Sequence, residues 1–142
     1  MIGQRPVKLT TRQEKESYAA VTMRDGFLCV RCGKLGRVDR DHRQNRDPYN
    51  TVPSNLQCLG SAFGCGCHKW KTENPAAAIR EGFAVPRYAR PELWPAYRFG
   101  VDWVLYFDTP DADGKWWQEI SESTAEFLMS EGRPDIGLVQ SG

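Results

Sequence analysis

Polar and apolar positions along the 142-residue chain fall into blocks of different period. Near the start, Thr11-Arg12-Gln13-Glu14 reads as a capping box, in which hydroxyl and carboxylate satisfy each other's unpaired backbone amides. Tyr18, Val21 and Thr22 then share one side and Asp25-Gly26 supplies a left-handed stop, so a helix is predicted to about Arg24. Residues 36–42 and 55–57 read as short strands. Between them, Asp47-Pro48, Asn50-Thr51 and Pro53-Ser54 punctuate a loop. A helix is predicted over 68–73, and another from Asn74-Pro75 to Gly82, with asparagine as N-cap and proline at the first position.

Beyond residue 83 the pattern changes. Pro86, Pro91 and Pro95, with Tyr88, Trp94 and Tyr97, predict an irregular connector whose rings pack back on the domain. Residues 99–107 are aromatic and β-branched, 108–114 are turn-rich and 115–120 are aromatic again, which predicts a β-hairpin with a long loop. Ser123-Thr124-Ala125-Glu126 caps a short helix to about Ser130, stopped by Gly132-Arg133-Pro134 and followed by a flexible tail. The class is α+β, with residues 1–82 as a core and 83–142 packed on it as an extension.

Composition adds a compartment and a charge field. No apolar run approaches the ~18 residues of a membrane span, and residues 1–10 lack the apolar centre of a secretory signal. A soluble, cytoplasmic protein with no membrane partner is expected. Its five cysteines are an odd number, and among reduced thiols they fit metal ligation better than disulfides. The net charge of +1 hides an asymmetry: residues 1–90 hold 16 Lys/Arg against 8 Asp/Glu, whereas 91–142 hold 3 against 10. A phosphate backbone is attracted to such a basic segment, less so as salt rises.

The basic segment also carries the chemistry. Cys29-Val30-Arg31-Cys32-Gly33 has the spacing at which a tight knuckle aims two thiolates at one tetrahedral zinc. Both histidines follow, in Asp41-His42 and in Cys67-His68-Lys69-Trp70-Lys71-Thr72, with Asn55 between. A histidine beside a carboxylate, an amide and a second histidine can hold a metal ion against a phosphate and activate water. His42 is the candidate general base, because an imidazole of reference pKa about 6.5 takes a proton near neutral pH. Asp41 and His42 alternate in direction along a strand, so a bulge or strand end is needed to turn both toward one ion. Arg40, Arg43, Arg46, Lys69 and Lys71 surround these positions as candidate phosphate grips.

Taken in order over residues 27–72, C-x-x-C, D-H, N-L and C-H-x-x-K-T resemble the motif of the HNH endonuclease family, in particular its small bacteriophage members. The resemblance implies a ββα-metal (His-Me finger) core that hydrolyses DNA phosphodiester bonds. It implies that Asp41 and His68 hold a catalytic Mg²⁺ or Mn²⁺, and that Asn55 either orients His42 or joins the metal shell. A separate structural Zn²⁺ would take Cys29, Cys32 and Cys67, the last because the family places a cysteine just before this histidine. DNA and phage genome-packaging (terminase) proteins are the partners it suggests, in the host cytoplasm.

One departure from the family pattern concerns the second thiol pair, usually C-x-x-C-H. Here Cys58, Cys65 and Cys67 are spread around the glycine-rich residues 60–67. Cys58 is expected as the fourth zinc ligand, with Cys65 competing, since the single residue between Cys65 and Cys67 makes their joint ligation less common. The competing function is a zinc-stabilised nucleic-acid-binding or assembly protein without turnover, against which stands only the joint retention of Asp41, His42, Asn55 and His68. A thiol redox protein is disfavoured, because no βαβ pattern surrounds Cys29-x-x-Cys32.

Overall fold

The structure, a computed structural model, describes residues 7–131. The predicted stop at Gly132-Arg133-Pro134 and the tail after it lie outside the described residues. Helix α1 spans Thr11–Asp25 and ends on Gly26 in the left-handed conformation at φ 62°. Its capping box is built one residue earlier than expected: Thr10 Oγ1 accepts from the Gln13 amide at 3.1 Å, and Gln13 Oε1 accepts from the Thr10 amide at 2.9 Å. Two overlapping boxes exist in Thr10-Thr11-Arg12-Gln13-Glu14, and the upstream one forms.

Strand β1 (Val38–His42) pairs antiparallel with β2 (Leu56–Gly60), with Asp41 opposite Gln57 and His42 opposite Leu56. The returning strand is longer than predicted and wholly buried. Leu56 and Cys58 pack against Val21 of α1, while Leu59 joins Cys29, Val30, Cys67, Ala78 and Phe83 in a second cluster. Helix α2 (Cys67–Glu73) starts on left-handed Gly66, and α3 (Pro75–Glu81) ends on Gly82 at φ 81°. A side chain at Gly82 would put its Cβ 1.8 Å from the Pro95 carbonyl, so the connector crosses there only because the position is glycine.

The predicted hairpin forms between β4 (Asp102–Tyr106) and β5 (Trp117–Ile120), and an unpredicted strand, β3 (Ala96–Arg98), pairs with β4 to make a three-stranded antiparallel sheet in the order β3-β4-β5. Residues predicted as one strand from 99 instead begin with a turn, in which Phe99 and Gly100 both have positive φ. Helix α4 (Glu122–Glu131) follows, and Ser121 Oγ accepts from the Thr124 amide, two residues ahead of the predicted cap. The architecture is α+β.

A buried polar cluster joins the sheet to α1. Asp25 Oδ1 accepts from Arg24 Nε at 2.8 Å and Arg98 Nη1 at 2.6 Å, and its Oδ2 accepts from the Cys58 amide at 3.0 Å. Burial pushes the Asp25 carboxyl up, yet the two guanidiniums hold it below its ordinary value. Among the described residues, no helix is long and apolar enough to cross a membrane.

Candidate metal centre and basic cleft

The thiols gather first. The knuckle turns as Gly33 donates its amide to the Cys29 carbonyl at 2.7 Å, and it docks on β2 through Val30 N–H and the Cys58 carbonyl at 2.9 Å. From the other side, the glycine-rich loop folds back on Arg37, whose carbonyl accepts from the Ser61 amide at 2.9 Å. Together these bring the Sγ atoms of Cys29, Cys32, Cys65 and Cys67 within 4.8 Å of one another. A tetrahedral ion with Zn–S bonds of about 2.3 Å separates its sulphurs by about 3.8 Å, so the set fits a closed structural zinc site.

Cys58 is not in this set, which corrects the expectation. Its side chain faces α1 with Leu56 and Val21, and burial beside the Asp25 carboxylate pushes its thiol to about 12. Cys65 takes the place, and the absence of a Cβ at Gly60 makes room for it: an added Cβ would lie 2.0 Å from Cys65 Sγ. Burial raises Cys65, but the Cys67 amide and the neighbouring thiols outweigh it and bring it to about 7. Burial, with Cys65 and Cys29 nearby, drives Cys67 to about 12 against the Arg31 hydrogen bond. Thiols packed this closely oppose one another's ionisation, and a cation shared among them offsets that.

Arg31 was not legible as part of this site. Its guanidinium lies 3.5 Å over the Trp70 ring and its Nη1 is 3.5 Å from Cys67 Sγ, so it braces the knuckle against α2.

An open cleft of about 930 Å³ lies between the end of β1, α2 and the segment after α3, lined among others by Arg40, Asp41, His42, Arg46, His68, Lys71 and Arg87. Asp41, with its side chain 11% exposed, is held from three sides. Oδ2 accepts from Gln57 Nε2 at 2.9 Å and Lys71 Nζ at 2.5 Å, and Oδ1 lies 3.2 Å from His68 Nε2. His68 and Lys71 are three apart on α2, hence on one face. The other ring nitrogen of His68 meets Asp39 Oδ2 at 2.7 Å.

His42 lines the same cleft from the last position of β1, the strand end at which neighbours of alternating direction can both reach it. Its Nε2 is 2.9 Å from Thr51 Oγ1, and its ring stands edge-on to Tyr18 at 6.2 Å. Burial lowers its pKa below the ordinary 6.5; Asp41 opposes this, and the charges of Arg46 and Lys71 add to it.

No family model, curated protein or solved structure matches the chain.

Burial and hydrogen bonding correct the expectations for Asn55 and Arg43. Asn55 is fully buried and touches neither His42 nor the Asp41–His68 pair: Oδ1 accepts from the Gln44 amide at 2.7 Å, and Nδ2 donates to the Gln44 and Asn50 carbonyls. It locks the loop between the strands. Arg43, 2% exposed, cannot grip a phosphate, because it donates to the carbonyls of Gly82, Ser54, Pro91 and Trp94. Its burial lowers its pKa to about 10. Lys69 lies outside the cleft lining and pairs loosely with Glu73 at 4.0 Å. Arg40 and Arg46 do line it, as does Lys71, whose amine is already engaged by Asp41 and by the His42 carbonyl at 2.8 Å. Arg87, missed because it follows α3 far from the motif, completes the basic rim.

Proposed function

We propose that this protein is a metal-dependent HNH-type endonuclease that hydrolyses DNA phosphodiester bonds, with β1, β2 and α2 as its ββα-metal core. The observation that carries the reading is the facing pair of Asp41 Oδ1 and His68 Nε2, 3.2 Å apart in a cleft that His42 also lines. Adjacent donors of an octahedral ion at about 2.0–2.1 Å lie about 3 Å apart, so the pair fits Mg²⁺ or Mn²⁺, and the imidazole favours the latter. A divalent ion bound there supplies Lewis-acid stabilisation of the charge that grows on the phosphoryl and leaving oxygens.

The chain's own groups do the rest. His42 is neutral at neutral pH, because burial depresses its pKa. When Nε2 donates to Thr51, Nδ1 keeps the lone pair and can take the proton of an attacking water. Lys71 and Gln57 hold Asp41 in orientation through its Oδ2, leaving Oδ1 toward His68. Arg40, Arg46 and Arg87 suit phosphates flanking the scissile one, and such contacts position the strand without reading its bases. Asn55 and Arg43 act through the loop: they fix the backbone on which His42 and Thr51 sit. A role beside phage genome-packaging proteins follows from the motif's resemblance alone.

The test is nicking of supercoiled plasmid in Mg²⁺ or Mn²⁺ by wild type and His42→Ala. Loss of about 10²–10⁴ in rate, at unchanged zinc content and DNA affinity, is the expected result for removal of a general base. Equal rates would remove His42 from the mechanism, and DNA binding without nicking in wild type would favour a zinc-braced binding protein.

A further inference from the structure

We propose that Asp39 is a positioning residue for His68, setting the rotation of its ring and which ring nitrogen faces the cleft; the inference rests on reading Asp41 and His68 as a divalent-cation pair. Asp39 and Asp41 are two apart on β1, so their carboxylates leave the strand on the same side. The His68 ring stands between them, Nδ1 at 2.7 Å from Asp39 Oδ2 and Nε2 at 3.2 Å from Asp41 Oδ1.

An ionised carboxylate only accepts, so the proton in the shorter contact belongs to Nδ1. Nε2 and Asp41 Oδ1 are brought together by a cation, either a proton on the ring or a metal ion, and a divalent ion that displaces the proton meets a nitrogen lone pair already aimed at it. A carboxylate on the far nitrogen of a metal-binding histidine fixes the ring's rotation and tautomer and raises the basicity of the coordinating nitrogen. Asp39 has the geometry for this, and Asp41 does not, because Lys71 and Gln57 take its other oxygen. The three groups do not form one shell, since His68 spends a different nitrogen on each carboxylate. Asp39 thus acts through His68 rather than on the ion.

The experiment is calorimetric titration of Mn²⁺ into the zinc-loaded protein, for wild type, Asp39→Ala, Asp39→Asn and His68→Ala. Wild type binds Mn²⁺ and His68→Ala does not. Asp39→Ala weakens binding about 100-fold and the isosteric Asp39→Asn, which keeps an acceptor for Nδ1–H, about 10-fold. In nicking assays both Asp39 variants need more Mn²⁺, while the rate at saturating Mn²⁺ falls less than the affinity does. A Kd equal to wild type in both variants overturns the proposal. If Asp39→Ala fails to fold, an unchanged Kd in Asp39→Asn overturns it alone. Absence of Mn²⁺ binding in zinc-loaded wild type instead sinks the cation pair itself, and the role of Asp39 with it.

Discussion

Arg40 and Arg43 flank the same Asp41-His42 step, yet they sit in opposite environments. Arg40 is exposed at the cleft, whereas Arg43 is buried among four carbonyls contributed by the β2 approach, the end of α3 and the connector. Removing a buried donor strands its acceptors, which costs about 1–3 kcal/mol for each one left unpaired. Arg43→Met is therefore expected to lower the unfolding free energy by about 3 kcal/mol or more in urea titration, whereas Arg40→Ala leaves it within about 0.5 kcal/mol and weakens DNA binding instead. At this scale the motif made Asp41, His42 and His68 legible, and strand alternation alone would have found Asp39. Nothing in the sequence separated Arg43 from Arg40, because burial at a strand end depends on what the connector brings over it. Thr51 and Asn55 were equally opaque: one meets the His42 ring and the other the backbone of Gln44 and Asn50, both through a loop whose path no local pattern encodes.

Among the elements, the glycine-rich loop decides which thiols stand close enough to share a metal ion. Four of the five thiols meet because the loop returns Cys65 over Gly60 while β2 turns Cys58 toward α1. Cys65→Ser is expected to lose zinc and lower the melting temperature. Cys58→Ser keeps full zinc occupancy on atomic absorption, and any destabilisation it brings comes from placing a hydroxyl in an apolar cluster. Gly60→Ala tests the close approach directly: its Cβ would enter the Cys65 sulphur, so zinc content falls as in Cys65→Ser. Full occupancy in Gly60→Ala would contradict this packing. The C-x-x-C knuckle was readable from spacing, whereas the choice between Cys58 and Cys65 needed the pleat of β2. Strand β3 was missed for a related reason. Three residues between Pro95 and a positive-φ turn are too few to show a period.

Over the whole molecule, Asp25, Arg24 and Arg98 tie the N-terminal helix to the C-terminal sheet. Because the folded pKa of Asp25 is depressed, its contribution is complete above the unfolded value of about 3.9 and is lost only as pH falls through the folded one. Between pH 5 and pH 8 this group gives stability no slope. Asp25→Asn leaves two buried guanidiniums without their anion and is expected to cost about 3–5 kcal/mol at any pH in that window, measured by urea unfolding.

The same molecule keeps two kinds of donor apart: four sulphurs close enough to hold one metal ion, and an oxygen–nitrogen pair in a basic cleft. Nicking of supercoiled plasmid after dialysis against EDTA tests that division most directly. Protein retaining one zinc per chain is predicted to be inert in EDTA and to recover nicking on addition of Mn²⁺ or Mg²⁺. Undiminished nicking in EDTA, or none in any metal at full zinc occupancy, would contradict it.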